Sequence, residues 1–250
     1  MSTDSAWEAW GQQDPYFGVI TDPKFRKASL TPEALKEFFE SGHVHTAQAM
    51  QMIRQYIDPN FQPRSILEFG CGVGRLVIPF AKTAAEVVGM DISEAMLQEA
   101  RRNCEQYGVN NARLLLSDDQ LSQLTGQFDL IHSCIVFQHI PPARGRAIFG
   151  RLLQHLPIGG VGAIQFTYSK AHFESTNGIA PVVPPAEAAA ARLSHKTQPP
   201  LGADPEMQMN PYHMNELLFL MQRSGVTRFH TEFTDHGGEL GVFLFFQRSR

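Results

Sequence analysis

The amino-acid sequence predicts an α/β domain built on a mainly parallel β-sheet that helices cover on both faces. From residue 65 onward, short apolar runs alternate with amphipathic stretches of helical length, which is the pattern of strands joined by helical crossovers. The last two apolar runs are joined by only a few residues, and this link is too short for a crossover. We therefore expect five strands in strand–helix units, followed by an antiparallel pair.

Composition and net charge limit the class of partner that the protein can have. The chain has 250 residues, of which 43% are hydrophobic and 18% are charged, as in an ordinary globular protein of one domain with additions. Its net charge of -4 gives no general attraction to nucleic acid or to an anionic membrane, so we expect a small-molecule partner and no nucleic acid.

Targeting signals and cysteines suggest a compartment. No apolar run approaches the roughly 20 residues of a membrane span, and the first residues lack the basic and apolar regions of a secretory signal. Cys71, Cys104 and Cys134 form no C-x-x-C pair. We expect a cytoplasmic protein with reduced thiols.

The first 60 residues predict a helical cap or lid over a domain formed by residues 61–250. Two tryptophans and an aromatic, turn-like segment at residues 14–25 come first. Thr31 and Pro32 then form the N-cap and first position of one helix, and a second helical stretch at about residues 45–57 ends before Pro59.

The elements of the main domain follow in order. The apolar runs that we interpret as strands are SILEFG (65–70), EVVGMD (86–91), ARLLLS (112–117), FDLIHSCIVF (128–137), GAIQFTY (162–168), VTRFHTEF (226–233) and GVFLFF (241–246). Residues 169–210 are rich in proline and alanine and lack periodicity, so we expect an insertion or lid there. A helix at about residues 212–225 precedes the final pair.

A glycine-rich loop after the first strand carries the main functional signal. Glu68 is followed by Gly70, Gly72 and Gly74 at alternate positions, and residues without side chains let a ligand approach the main chain. A dinucleotide loop G-x-G-x-x-G would need glycine at Arg75, and the G-K-[ST] of a phosphate loop is absent. A turn that needs glycine only for its geometry is the alternative.

This order of one acid and three alternate glycines resembles the first motif of class I S-adenosylmethionine-dependent methyltransferases of the small-molecule type. The resemblance covers about residues 60–168 and 211–250. It implies a Rossmann-like, seven-stranded sheet in the order 3-2-1-4-5-7-6 with an antiparallel last strand, S-adenosylmethionine as cofactor and S-adenosylhomocysteine as product. It also implies that the loop faces the amino-acid end of the cofactor, through Glu68, Gly70, Cys71, Gly72 and Gly74.

An acid at the end of the second strand suggests a nucleoside ligand. Asp91 can accept two hydrogen bonds from vicinal ribose hydroxyls, in NAD enzymes and methyltransferases alike. A solvated acid at a helix start is the alternative. Ile92 and Met96 are expected to form a wall against the adenine, although both could equally belong to the core.

The resemblance also implies an acid after the third strand that contacts the adenine amino group. We expect Asp118 to act through its side chain and Asp119 through its backbone N–H, with a simple turn aspartate as the alternative. The resemblance also implies that Ser133 and Cys134, on the fourth strand, lie beside the cofactor.

The mouth of the acceptor pocket is expected at Gln138 and His139. His139 is the candidate catalytic base, because an unperturbed histidine titrates near neutral pH. A base is needed only if the acceptor must lose a proton early, and a packing role for His139 is the alternative.

The acceptor itself is expected to contact Tyr16, Phe17 and His43, each of which could also serve only in packing. His43 and His45 have no third ligand at a suitable spacing, so we expect no metal. The function that we expect is methyl transfer to a small-molecule hydroxyl. The alternatives are N-methylation, an NAD(P)-dependent oxidoreductase, and a non-catalytic scaffold that binds a nucleoside.

Overall fold

The structure is a computed structural model that describes residues 2–170 and 204–250. Residues 171–203, which are most of the predicted insertion, lie outside the described residues. None of the described helices is long and apolar enough to cross a membrane.

One seven-stranded sheet forms the centre of the molecule, in the order β3-β2-β1-β4-β5-β7-β6. Strands β1 to β5 pair in parallel, and β7 pairs antiparallel with both β5 and β6. The expected fold class, strand order and closing antiparallel pair are therefore confirmed. The strand bounds are β1 Ser65–Phe69, β2 Glu86–Asp91, β3 Ala112–Leu116, β4 Leu130–Ser133, β5 Val161–Lys170, β6 Val226–Asp235 and β7 Glu239–Arg248.

Seven described helices flank the sheet: α1 Thr3–Gln13, α2 Pro15–Val19, α3 Pro32–Tyr56, α4 Val77–Ala81, α5 Glu94–Gln106, α6 Pro142–Gln154 and α7 Met214–Arg223. Successive strand residues point to opposite faces, so Ile66 packs with α1 to α5 while Leu67 packs with α6 and α7. Both faces of the central strands are buried, which explains their nearly continuous apolar sequences.

The N-terminal region is helical, as expected, but its helices differ in detail. Part of the turn-like segment forms α2, and the two stretches expected between residues 31 and 57 are one continuous helix, α3. Gly42 lies inside α3 because the helix crosses the glycine loop there. A Cβ at Gly42 would stand 2.3 Å from the carbonyl oxygen of Arg75.

Candidate active site

The glycine loop has the backbone conformation that its sequence requires. Gly70, Gly72 and Gly74 have φ values of 76°, 51° and 85°, which is the left-handed region that favours glycine. A Cβ at Gly70 would also lie 2.3 Å from a methyl group of Val136. These glycines are therefore required by the local geometry, and they bring the loop close to the segment after β4.

Hydrogen bonds anchor the loop to the end of β2. The N–H groups of Gly70 and Cys71 donate to the carbonyl of Met90 at 2.8 and 2.9 Å, and that of Gly74 donates to the carbonyl of Cys71 at 3.0 Å. The Cys71 side chain is buried in the core below the loop. These three N–H groups are thus occupied inside the protein.

Asp91 links the loop to the start of α5. One carboxylate oxygen accepts from the N–H of Gly72 at 2.8 Å, and the other accepts from the N–H of Ser93 at 2.9 Å. Burial raises the pKa of Asp91, and both N–H donors oppose this shift by favouring the carboxylate. Each oxygen retains a lone pair that can accept from a hydroxyl group.

The two apolar residues after Asp91 differ in exposure. Met96 is fully buried, and its N–H is capped by the hydroxyl of Ser93 at 3.1 Å. Its terminal methyl lies 3.2 Å from a Cβ built at Gly18 in α2. Ile92 is half-buried between Asp91 and Ser93. The wall predicted from the sequence thus lies against the N-terminal helices.

The acids after β3 have partners within the protein. Asp118 is exposed, and its carboxylate accepts from the N–H groups of Gln120 and Ser122, both at 2.9 Å. These donors lower the pKa of Asp118. Asp119 accepts from the guanidinium of Arg144 at 2.5 Å. Asp118 therefore stabilises its own turn, and Asp119 connects this turn to α6.

The segment after β4 contains a strained residue that the sequence did not single out. Ile135 has a φ of 57°, which is an unfavourable conformation for a β-branched side chain. Before it, the buried hydroxyl of Ser133 donates to the carbonyl of Phe69 at 2.8 Å, and Cys134 is a half-buried free thiol. Gln138 is buried, and its side-chain oxygen accepts from the hydroxyl of Thr167 at 2.8 Å.

His139 is buried, and its hydrogen bonding defines its tautomer. Its Nδ1 lies 2.8 Å from the carbonyl oxygen of Gln208. A carbonyl can only accept, so Nδ1 carries the proton and Nε2 keeps the lone pair. Nε2 is 3.4 Å from the side-chain nitrogen of Gln138, and the ring packs on Trp7 with centroids 4.8 Å apart. Burial lowers the pKa of His139 to about 4, so the ring is neutral at pH 7.

Helix α1 lies across this edge of the sheet. The hydroxyl of Thr3 donates to the carbonyl of His139 at 2.8 Å, and the carboxylate of Glu8 accepts from the hydroxyl of Ser93 at 2.7 Å. Asp4 pairs with Arg144, the same side chain that binds Asp119. The cap therefore contacts the turns that follow β2 and β4, and it is connected to the turn after β3 through Arg144 of α6.

The residues predicted to contact the acceptor occupy different places on the cap. The hydroxyl of Tyr16 donates to the carboxylate of Glu99 at 2.7 Å and lies 3.0 Å from the side-chain oxygen of Asn103, so it faces α5. Phe17 stacks under the guanidinium of Arg26, 3.4 Å from the ring centroid. His43 is half-buried on α3, with Nε2 3.4 Å from the ammonium of Lys82.

A buried cluster below the glycine loop was not recognised in the sequence. Glu68 lies 2.6 Å from Nδ1 of His132, and Nε2 of His132 lies 3.0 Å from Nε2 of His45. Burial raises the pKa of Glu68 and lowers the pKa of His132 to about 3 and of His45 to about 2. The sequence signal that could have indicated this cluster is one titratable residue inside each of two apolar strands, Glu68 in β1 and His132 in β4. Within residues 2–170 and 204–250, no three acidic, histidine or cysteine side chains are grouped to hold a metal ion.

Comparison with known proteins agrees with this arrangement. Residues 66–160 match a family model described as a methyltransferase domain. That range includes the glycine loop, Asp91 and the whole segment after β4. Over these residues the chain is similar to methyltransferase domains.

Solved structures extend the likeness of the methyltransferase domain to the whole fold. Magnesium protoporphyrin IX methyltransferase from Synechocystis, with bound S-adenosylhomocysteine, superposes with a TM-score of 0.64 at 17% identity, over 99% of this chain and 100% of that one. The N-methyltransferase NodS from Bradyrhizobium japonicum gives a TM-score of 0.60 at 13% identity, over 100% of both chains.

Curated relatives are similar to only part of this chain. An uncharacterized RNA methyltransferase from Thermosynechococcus vestitus is 32% identical over 54% of this chain and 28% of its own length. Magnesium-protoporphyrin O-methyltransferase from Synechocystis is 33% identical over 38% of this chain and 41% of its own. The chain therefore matches less than half the length of these relatives.

Proposed function

We propose that the protein is an S-adenosylmethionine-dependent methyltransferase that methylates a hydroxyl group of a small organic molecule. The observation that carries this proposal is the pairing of the glycine loop with Asp91. The carboxylate is buried at the carboxyl edge of the sheet, held by the N–H groups of Gly72 and Ser93, with lone pairs left for vicinal hydroxyls.

The donor groups of the loop suit a cofactor without phosphate. The N–H groups of Gly70, Cys71, Gly72 and Gly74 all have partners in the protein, so these four donors are not free to bind pyrophosphate. This favours S-adenosylmethionine over NAD(P), whose binding remains the alternative enzyme hypothesis.

Residues along this edge of the sheet would each contact a different part of the cofactor. The glycine loop would contact the amino-acid end, Asp91 the ribose, and Ile92 and Met96 the adenine, with Asp118 and Asp119 at its far side. When bound, S-adenosylmethionine supplies a methyl group already activated on a sulfonium. The chain's own task is then to align the acceptor and exclude water, and alignment alone can lower a barrier by about 7 to 11 kcal/mol.

Helix α1 supports the exclusion of water. Its contacts to Ser93, His139 and Arg144 support this role, because Ser93 and His139 lie in turns that would border the cofactor. We propose that the cap of residues 1–60 closes the edge of the sheet from which solvent would otherwise enter.

We propose that His139 orients the acceptor. Its Nε2 lone pair, 3.4 Å from the side-chain nitrogen of Gln138, can accept from a hydroxyl of the acceptor other than the one that is methylated, because Nδ1–H is bound to a backbone carbonyl. With a pKa of about 4, His139 is a weak base that stays unprotonated at this nitrogen at pH 7. Its role in this proposal is therefore orientation, whereas the sequence alone suggested a base.

A small acceptor with a hydroxyl is the class that charge and relatives favour. The net charge of -4 gives no attraction to RNA, although RNA methyltransferases are among the relatives. O-methyltransferases are the other named relatives, while the N-methyltransferase NodS shares the fold and makes an amine the second candidate. Because all three cysteines are free thiols, we propose the cytoplasm as the compartment.

Calorimetric titration with S-adenosylmethionine, S-adenosylhomocysteine and NADH tests the cofactor. We expect both sulfur nucleosides to bind and NADH not to bind, and binding of NADH alone would contradict the proposal. A screen of hydroxyl and amine acceptors with a methyl-labelled donor then tests the enzyme. Transfer to none of them would favour the non-catalytic scaffold.

A further inference from the structure

Three buried side chains form one hydrogen-bonded chain from β1 to α3. Glu68 and His132 are register partners on the adjacent parallel strands β1 and β4, and their side chains meet at 2.6 Å. His132 then meets His45 of α3 at 3.0 Å. Glu68 and His132 are 1% and 0% exposed, whereas His45 is half-buried, so His45 is the outer end.

The hydrogen bonds of this chain allow two states. If Glu68 is a carboxylate, it accepts from Nδ1–H of His132, whose Nε2 accepts from Nε2–H of His45. Nδ1 of His45 then carries a lone pair. If Glu68 is protonated, every bond reverses and Nδ1 of His45 carries a proton. The two states differ by one proton, and both rings stay neutral in each.

The outer end of the chain lies beside the glycine loop. His45 follows Gly42 by three residues on α3, and Gly42 packs against the backbone of Arg75. Nδ1 of His45 has no hydrogen-bond partner among the residues that the structure describes. The aromatic rings of Phe80 and Phe243 pack around His132 and keep the inner part of the chain dry.

We propose that Glu68, His132 and His45 are a proton relay that takes the proton released by the methyl acceptor. This inference rests on the proposed function and adds the group that receives the proton. It assigns the basic role to Nδ1 of His45.

The proton balance of the step is complete. Methylation of a hydroxyl or amine by a sulfonium donor forms an O–C or N–C bond and breaks the S–CH3 bond, whose electron pair stays on the sulfur of a neutral thioether. It also breaks one O–H or N–H bond. The released proton bonds to Nδ1 of His45, while the Nε2 proton of His45 passes to Nε2 of His132. The Nδ1 proton of His132 passes to the Glu68 carboxylate.

The charges around the chain set its pH dependence. Arg75 faces all three members and favours the Glu68 carboxylate, whereas burial favours the acid. His236, in the turn between β6 and β7, faces His45, and the thiol of Cys134 faces Glu68. Turnover should therefore rise with pH as Glu68 ionises. Removing the guanidinium of Arg75 should move this rise to higher pH.

Nitrogen NMR of the full chain labelled with ¹⁵N-histidine tests the relay without any acceptor. Variants His45→Gln and His132→Gln assign the signals. As the pH rises, we expect the proton of His132 to move from Nε2 to Nδ1 and that of His45 from Nδ1 to Nε2, with one common midpoint. His139 is the internal control, because its Nδ1 is bound to a carbonyl and its tautomer should not change.

Two further variants sharpen this measurement. Glu68→Gln is nearly isosteric and should abolish the switch, and Arg75→Gln should move its midpoint to higher pH. Fixed tautomers across the pH range, or separate midpoints for the two rings, would overturn the proposal.

Turnover with an acceptor from the screen tests whether the relay contributes to catalysis. His45→Gln should lower kcat by about 10²- to 10⁴-fold while the Kd for S-adenosylhomocysteine stays within about twofold. The control is His155→Gln, since His155 bonds a loop carbonyl remote from the chain. Normal turnover of His45→Gln would contradict the relay. Absence of transfer by the unchanged protein would instead overturn the proposed function, and the NMR result would still decide whether the relay exists.

Discussion

Two buried histidine sites lie at the carboxyl edge of the sheet, and they differ in what holds their protons. His139 donates from Nδ1 to a backbone carbonyl, which can never return a proton. His132 bonds to the side chain of Glu68, which can hold a proton or release it. Burial lowers the pKa of both rings in the same direction, to about 4 and about 3.

This comparison teaches that a lowered histidine pKa does not by itself identify a base. The partner at the other ring nitrogen decides whether the tautomer is fixed, as at His139, or can change, as at His132 and His45. The remaining predictions test this difference, from the largest expected effect to the smallest.

The middle of the relay should be the most sensitive position. His132→Leu removes the partner of both Glu68 and His45 and leaves two buried polar groups without a hydrogen bond. At about 1 to 3 kcal/mol for each, the expected loss is about 2 to 6 kcal/mol in the free energy of unfolding. Denaturant unfolding measures this loss. The double variant Glu68→Leu, His132→Leu should lose less than the sum of the single losses, and strict additivity would argue against the contact.

Asp91 is, with Glu68, the second buried acid at this edge. Its hydrogen-bond donors are backbone N–H groups, which are fixed like the backbone partner of His139. Asp91→Ala removes both lone pairs available to ribose hydroxyls, so cofactor affinity should fall by about 2 kcal/mol or roughly 30-fold. Calorimetry with S-adenosylhomocysteine measures the change. Asp91→Asn keeps one carbonyl oxygen and should lose less, and unchanged affinity in both variants would exclude Asp91 from the cofactor site.

The pH dependence of stability should separate the histidines from Glu68. Unfolded histidine binds a proton near pH 6.5, whereas folded His139 does so only near pH 4, so stability should fall as the pH drops from about 6.5 towards 4. Each histidine of this kind contributes up to about 1.4 kcal/mol per pH unit in its window.

Glu68 contributes with the opposite sign, because its raised pKa makes the folded state bind a proton above pH 4.5, where the unfolded chain has released it. Urea unfolding between pH 4 and 8 measures both effects. His139→Gln should flatten the curve, whereas Glu68→Gln should steepen it below neutral pH. The same slope in both variants would contradict these assignments.

The contact between α1 and the His139 segment should have the smallest effect. Thr3→Val removes one hydroxyl that donates to the His139 carbonyl, at an expected cost of about 0.5 to 1.5 kcal/mol in stability. The matched control is Thr227→Val, because the exposed hydroxyl of Thr227 bonds only to Ser249. Equal losses in both variants would show that the cap contact stabilises the fold no more than an exposed hydrogen bond does.

Much of the fold could be predicted because its signals are local. Apolar runs of strand length gave the order of elements, and the short link between the last two runs gave their antiparallel pairing. The continuity of α3 could not be predicted, since Gly42 ordinarily weakens a helix. Only its contact with Arg75, distant in the sequence, explains why glycine is required there.

The proposed cofactor site was also suggested by local sequence. Three alternate glycines and an acid at a strand end suffice to indicate it, because these residues act through backbone conformation and through the end of a single strand. The hydrogen-bond partners of the buried histidines were not visible. A partner at His139 Nδ1 is a carbonyl 69 residues away, and no spacing rule connects the two.

The sequence by itself therefore determined the α/β class, the glycine loop and the acid at Asp91, all of which depend on neighbours within one turn or one strand. Only the tertiary structure decided the relay. Glu68 and His132 are 64 residues apart and meet through the register of β1 with β4, and His45 lies 87 residues from His132 and arrives through the packing of α3. The physical reason is that a hydrogen-bonded chain of side chains depends on distances across the core, which the order of residues along the chain does not specify.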